Sequence, residues 1–152
     1  MGVISPAILT DSVDGYKSYV EKIHPFAERV HVDITDGEFA PTFTVSASQV
    51  WWPQEWMVDI HAMVARPSEY LDTFVNLKPH MVILHAEVEE DLLPTIAHLK
   101  KFDIKAGIAL QRSTVPLDNE AVIKAADHVM IFTGDLGKYG GVASMMQLEK
   151  VR

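Results

Sequence analysis

Six short apolar runs rich in β-branched residues punctuate this 152-residue chain, at residues 3–9, 29–34, 57–64, 80–85, 104–110 and 128–133. Their starts fall about 23 to 28 residues apart, the size of a strand plus a returning helix. Between them, residues 12–23, 68–77, 91–101 and 119–125 carry apolar side chains at spacings of three and four, the period of an amphipathic helix. Residues 46–52 predict a weaker helix, stopped at Pro53. Pro67-Ser68 and Pro116-Leu117-Asp118 mark helix starts, because proline is tolerated in the first turn and presets its φ. No low-complexity tract or linker rich in Pro, Gly or Ser interrupts the alternation. The chain reads as six β-α units in one domain, residues 1–152, long enough to bury roughly two-thirds of its unfolded surface.

Regular β-α alternation implies a parallel sheet covered by helices, either a doubly wound open sheet or a (β/α)8 barrel of the TIM type. Polar residues mark the C-terminal ends of many runs: His31 and Asp33, Asp59 and His61, His85 and Glu87, Gln111, and Thr133. An open sheet gathers ligand groups at one switch point, whereas a barrel collects them from most strands around a common mouth. The pattern favours the α/β barrel. Six units are too few for eight strands, and Leu148-Glu149-Lys150-Val151-Arg152 reads as the middle of a helix. The expectation is an incomplete TIM barrel lacking its two C-terminal β-α units. Its first and sixth strands would expose unpaired edges, which predicts a homo-oligomer, edge pairing with a partner chain, or marginal stability.

Composition narrows the function classes. Apolar residues make up 48% of the chain and are spread along it, which excludes disorder. Thirteen basic against twenty-one acidic side chains leave a net charge of −8, which disfavours a nucleic-acid partner. With no cysteine there is no disulfide, zinc knuckle or thiol nucleophile. The opening MGVISPAILTDS lacks the charged and long apolar regions of a signal peptide, and no run approaches the eighteen or so apolar residues that span a bilayer. A cytoplasmic location with no membrane partner is expected.

The sharpest motif is Val30-His31-Val32-Asp33-Ile34-Thr35-Asp36-Gly37. Residues two apart on a strand share a face, so His31 and Asp33 project together, away from Val30, Val32 and Ile34. Val58-Asp59-Ile60-His61 repeats the arrangement on the next strand. His31, Asp33 and His61 form a two-histidine, one-carboxylate set suited to zinc, iron or manganese. The competing reading makes the histidines hydrogen-bonded strand-end residues and lets Asp33 cap the turn at Asp36-Gly37.

Ser5-Pro6-Ala7-Ile8-Leu9, the run from His31 through Asp36-Gly37-Glu38-Phe39-Ala40-Pro41, and Asp59-Ile60-His61-Ala62-Met63-Val64 together resemble the ribulose-phosphate 3-epimerases. Ile83-Leu84-His85-Ala86-Glu87, Lys105-Ala106-Gly107-Ile108-Ala109-Leu110 and the glycine-containing loop 134–141 follow in the family's order. The resemblance implies a ribulose-phosphate-binding (β/α)8 barrel of the pentose phosphate pathway. Such a barrel interconverts D-ribulose 5-phosphate and D-xylulose 5-phosphate by proton abstraction at C3 through an enediolate.

Carried over by position, His31, Asp33 and His61 would bind one divalent ion (Zn, Fe, Mn or Co), and Asp33 would also be a catalytic acid/base. His61, Met63, Gly137, Gly140 and Gly141 would contact the pentulose phosphate. Inverting a carbon beside a ketone needs a carboxylate on each face and a Lewis acid on the oxygens. The family's usual serine is Ala7 here, and its methionine after the HVD segment is Thr35. The loop at 134–141 is one residue longer than usual and lacks its proline. The family's second catalytic aspartate and its phosphate-binding glycines belong to strands seven and eight, beyond these 152 residues. The isolated chain is therefore expected to be weakly active or inactive.

Other candidates carry less. His85 and Glu87 share a face and read as structural, with support of the metal ligands as the sharper alternative. The loop 134–141 is neither GxGxxG nor a Walker loop and reads as a flexible flap over the mouth. Trp51, Trp52 and Trp56 predict packing or a subunit contact at the second helix. His24, His80, His98 and His128 read as structural or solvated, and Arg66 and Lys100-Lys101 as helix-end charges. A related aldolase/decarboxylase barrel would need a lysine on strand three, where this chain has His61. The alternative to an enzyme is a degenerate, non-catalytic barrel fragment that binds metal or sugar phosphate beside a partner chain.

Overall fold

The computed structural model describes residues 3–138 and 140–151. Six parallel strands form one sheet: β1 (Ala7–Ile8), β2 (Arg29–Thr35), β3 (Met57–Met63), β4 (Met81–His85), β5 (Lys105–Leu110) and β6 (His128–Ile131). Their spatial order is their sequence order. A doubly wound sheet reverses direction at a switch point, and this one never does. Unidirectional winding belongs to a (β/α) barrel wall, and six of its eight strands are present.

Two apolar clusters separate the faces of the sheet. Val30, Val32, Ile34, Val58, Ile60, Val82, Leu84, Ala106, Ile108 and Leu110 pack with helix residues such as Tyr16, Val20, Phe74, Ile96 and Leu99. On the other face Met81, Ile83 and Ala109 pack with Met130. The helices thus cover the first face, and the second lines the barrel interior. Strand register stacks the interior in layers. His31, Asp59 and Met81 form one layer, Asp33, His61, Ile83 and Gly107 the next, and Thr35 pairs with Met63 above.

Helix α1 (Val13–Ile23) begins where Ser12 accepts the amide of Gly15 at 3.0 Å, and α3 (Leu92–Lys101) where Asp91 accepts that of Leu93 at 3.0 Å. Each cap satisfies one of the amides a helix start leaves unpaired. Helices α2 (Leu71–Leu77) and α4 (Glu120–Ala125) each follow a 3-10 turn that starts at a proline, Pro67–Tyr70 and Pro116–Asn119. The C-terminal segment is not the middle of a long helix. It forms the single turn α5 (Met145–Leu148) and a 3-10 turn (Glu149–Val151), tethered where Lys150 Nζ donates to the Thr114 carbonyl at 2.7 Å.

Residues 46–52 form a turn rather than the expected helix, closed by the Gln49 amide on the Ser46 carbonyl at 2.9 Å. The Ser46 hydroxyl and amide both bind the Gln49 side chain, and the Ser46 and Ser48 hydroxyls bond each other. Side chains of this kind compete with helical backbone bonds. Ala47 and Val50 are still buried in the core. Of the three tryptophans in this crossover, Trp56 is buried, while Trp51 accepts the buried Tyr16 hydroxyl on its carbonyl at 2.8 Å. The first strand is also shorter than its apolar run: Val3 and Ile4 lie exposed and outside the sheet. No helix among the described residues is long and apolar enough to cross a membrane.

Candidate metal centre

Alternation along β2 and β3 points His31, Asp33 and His61 into the barrel interior. Asp33 and His61 are direct partners across the two strands. Asp33 Oδ1 lies 2.8 Å from His61 Nδ1 and 3.4 Å from His31 Nε2. One potential donor atom from each of the three residues falls within 4.8 Å of the others. The side chains of His31 and Asp33 keep 18% and 12% of their surface, so the set is open on that side, while His61 is walled in.

Burial and charge fix the resting forms. Burial pushes the Asp33 carboxyl up, but the facing imidazoles of His31 and His61 more than offset this and hold it at about 2. Burial lowers His61 to about 4 against the pull of Asp33. At neutral pH the pair is a carboxylate and a neutral imidazole, the protonation states in which both can bind a cation.

The competing role for Asp33, capping the turn that follows, is taken by another residue. Asp36 Oδ1 accepts the amides of Glu38 and Phe39, both at 2.9 Å, and its Oδ2 accepts the amide of Ala65 at 2.7 Å. Asp36 thus ties the loop after β2 to the end of β3. Burial raises its carboxyl, but these backbone donors prevail and hold it below its usual range. Asp59 shares the His61 face but lies one layer deeper, where Arg29 Nε donates to its Oδ2 at 2.7 Å.

The histidine set continues across the sheet. His61 Nε2 and His85 Nε2 are 2.8 Å apart, and His85 Nδ1 lies 3.0 Å from Glu87 Oε2. Glu87 Oε1 accepts the Gln111 amide at 2.7 Å and the Thr114 hydroxyl. Burial raises Glu87, and His85 with these two donors brings it down to about 2. Phe39 and Phe132 pack on the rings, with centroids 4.9 Å from His85 and 5.5 Å from His61 respectively. The two aromatics carried no periodic signal of their own.

The remaining sequence candidates are dispersed. Met63 is buried at the end of β3, level with Thr35, whose Oγ1 has no hydrogen-bond partner among the described residues. Ala7 pairs in register with His31. Gly137 adopts φ +67 and abuts Thr42, while Gly140 adopts φ +77 with open space where a side chain would stand. Gly141 approaches Gly134, so the loop closes on itself, and Tyr139 within it lies outside the described residues. A cavity of about 450 Å³ opens beside this loop, lined by Phe132, Gly134, Asp135, Arg112 and Lys138 among others. It touches the histidines only through Phe132. His24 pairs with Glu55 at 2.7 Å, and Arg66 grips Glu38 through both terminal nitrogens, at 2.7 and 2.6 Å, so both side chains are already engaged.

Comparison with known proteins follows the same residues. The ribulose-phosphate 3 epimerase family matches residues 3–152. A ribulose-phosphate 3-epimerase from Bacillus subtilis is 27% identical over 142 residues, covering 91% of this chain and 65% of that protein. One from Rhodobacter capsulatus is 26% identical over 153 residues, covering 98% and 67%. One from Chlamydia muridarum is 26% identical over 129 residues, covering 83% and 57%. The chain thus spans between 57% and 67% of the length of these relatives. With its singly wound parallel sheet and its interior His31, Asp33 and His61, the chain belongs to the ribulose-phosphate 3-epimerase family.

Proposed function

We propose that this chain carries the metal-binding part of a sugar-phosphate epimerase site, in which Asp33 moves the proton at C3 between D-ribulose 5-phosphate and D-xylulose 5-phosphate. The observation that carries the reading is the convergence of His31, Asp33 and His61, with donor atoms within 4.8 Å of one another. Two imidazoles and a carboxylate suit a divalent ion such as zinc, iron, manganese or cobalt. A bound ion supplies positive charge where the substrate oxygens become negative as the C3 proton leaves.

Asp33 is the ionised carboxylate of the set and the group able to accept that proton. Two strands hold it against His61, so its position costs little ordering when substrate arrives. His61 and Met63 form the wall beside the reacting carbons, and Gly137 and Gly140, both at positive φ, with Gly141 packed on Gly134, shape the loop at the mouth that would cover the sugar phosphate. The intact His31, Asp33 and His61 set weighs against a degenerate barrel.

Metal analysis of the purified 152-residue protein tests this reading. Stoichiometric zinc, iron, manganese or cobalt is expected in the parent protein and its loss in His61→Ala. Absence of tightly held metal after incubation with each ion and removal of excess would refute it.

A further inference from the structure

His61 and His85 form a two-ring relay closed at each end by a carboxylate. Asp33 Oδ1 stands 2.8 Å from His61 Nδ1, the two Nε2 atoms face each other at 2.8 Å, and Glu87 Oε2 stands 3.0 Å from His85 Nδ1. A carboxylate only accepts, and a neutral imidazole owns one N–H and one lone pair. Three contacts therefore share two ring protons. A hydrogen bond between the two Nε2 atoms at 2.8 Å requires one ring to give up its Nδ1–H, so that the direction at one end then sets the direction at the other.

The geometry favours donation toward Glu87. Its Oε1 is already anchored by the Gln111 amide and the Thr114 hydroxyl, which leaves Oε2 for His85. Among the described residues His85 is the one donor to that oxygen, whereas Asp33 Oδ1 also faces His31 Nε2 at 3.4 Å. His85 then donates from Nδ1 and accepts on Nε2. His61 donates from Nε2 and keeps a bare Nδ1 beside Asp33 Oδ1, which leaves His31 Nε2, 3.4 Å away, as the imidazole that holds the Asp33 carboxyl low. Two acceptors at 2.8 Å repel each other unless a cation contacts both.

We propose that Glu87, acting through His85, holds His61 in the tautomer whose Nδ1 lone pair is presented, together with Asp33, to a divalent cation. His85 and Glu87 are positioning residues. The purpose of the relay rests on the metal reading above, but its direction is a property of the metal-free protein. A purely structural His85 would leave the His61 tautomer unchanged when Glu87 is altered.

The test uses the 15N-histidine-labelled 152-residue protein, freed of metal, at a pH where the rings are neutral. Long-range proton–nitrogen correlation reads which nitrogen of each ring carries hydrogen, and chelator competition reads zinc affinity. The parent protein is expected to show His85 with Nδ1–H and His61 with Nε2–H. Glu87→Gln is nearly isosteric. The Gln111 amide and Thr114 hydroxyl hold its carbonyl in place of Oε1, which turns its NH2 toward His85. The relay reverses, His61 gains Nδ1–H, and zinc affinity falls by about 10- to 100-fold.

Glu89→Gln removes the same charge from an exposed neighbour and leaves tautomers and affinity unchanged. His85 protonated at Nε2 in the parent protein, or unchanged tautomers in Glu87→Gln whatever its zinc affinity, would overturn the proposal. A parent protein that shows the expected tautomers and their reversal, yet binds no zinc, manganese, iron or cobalt, would remove the metal reading and leave the relay standing.

Discussion

Gly137 lies so close to Thr42 that no side chain fits between them: a Cβ on Gly137 would stand 1.8 Å from Thr42 Oγ1. Its φ of +67 is also a conformation that costs an L-residue about 1–2 kcal/mol. Gly137→Ala is therefore expected to lift the loop off Thr42 while leaving global stability unchanged, since the loop lies outside the core. The reporter is the Lys138 amide, which donates to the Asp135 carbonyl at 3.1 Å. Its hydrogen exchange should speed up by about tenfold or more, while the exchange of β2 and β3 amides is unaffected.

Arg29 and Asp59 form the second expected weak point. The Asp59 side chain keeps only 6% of its surface, and its ion pair with Arg29 is 2.7 Å long. The Arg29 side chain keeps 29% of its surface, so the pair is half-buried. Removing Arg29 strands the buried Asp59 charge at up to about 3 kcal/mol, whereas replacing both with apolar residues avoids that penalty. Urea unfolding should show Arg29→Ala to be strongly destabilised and the double variant Arg29→Met/Asp59→Leu to recover most of the loss. A single variant as stable as the parent would mean that water reaches Asp59 freely.

Among the described residues, strands β1 and β6 each pair on one side only. Val129 on β6 is 39% exposed, so this edge offers both free backbone groups and apolar surface to another chain. The 152-residue protein is expected to self-associate in sedimentation equilibrium. Val129→Lys, a charge on the edge strand, should shift it toward the monomer. A parent protein that remains monomeric at high concentration would count against edge pairing.

The residues that made this fold legible are those whose burial follows a short period. Runs such as Val30-Val32-Ile34 and Val58-Ile60-Ala62 declare strands because every second side chain packs under the helices. Val3 and Ile4 are equally apolar, yet without strand partners at their level they stay outside the sheet. Residues 46–52 form a turn where periodicity predicts a helix, because periodicity does not register Ser46 and Gln49 bonding to each other. In the site, alternation gave the face of His31, Asp33, Asp59 and His61 but not their depth, and depth is what separates Asp59 from the others. Register alone pairs His61 with Ile83, two residues short of His85. The His61–His85 contact arises because the two rings lean along their strands, which no spacing rule encodes.

The last expectation concerns Asp33 itself. If it removes the C3 proton, the metal-supplemented chain should exchange that hydrogen of ribulose 5-phosphate with deuterated solvent. Asp33→Asn keeps the shape of the side chain but cannot accept a proton, so exchange should fall by about 10² or more. Exchange in the parent 152-residue chain should also outpace its epimerisation, since the family resemblance assigns the acid/base for the opposite face to a seventh strand. Mass spectrometry of the recovered sugar phosphate reads exchange, and a coupled assay for xylulose 5-phosphate reads epimerisation. Equal exchange by the parent and Asp33→Asn would assign proton transfer to another group and leave Asp33 a ligand alone.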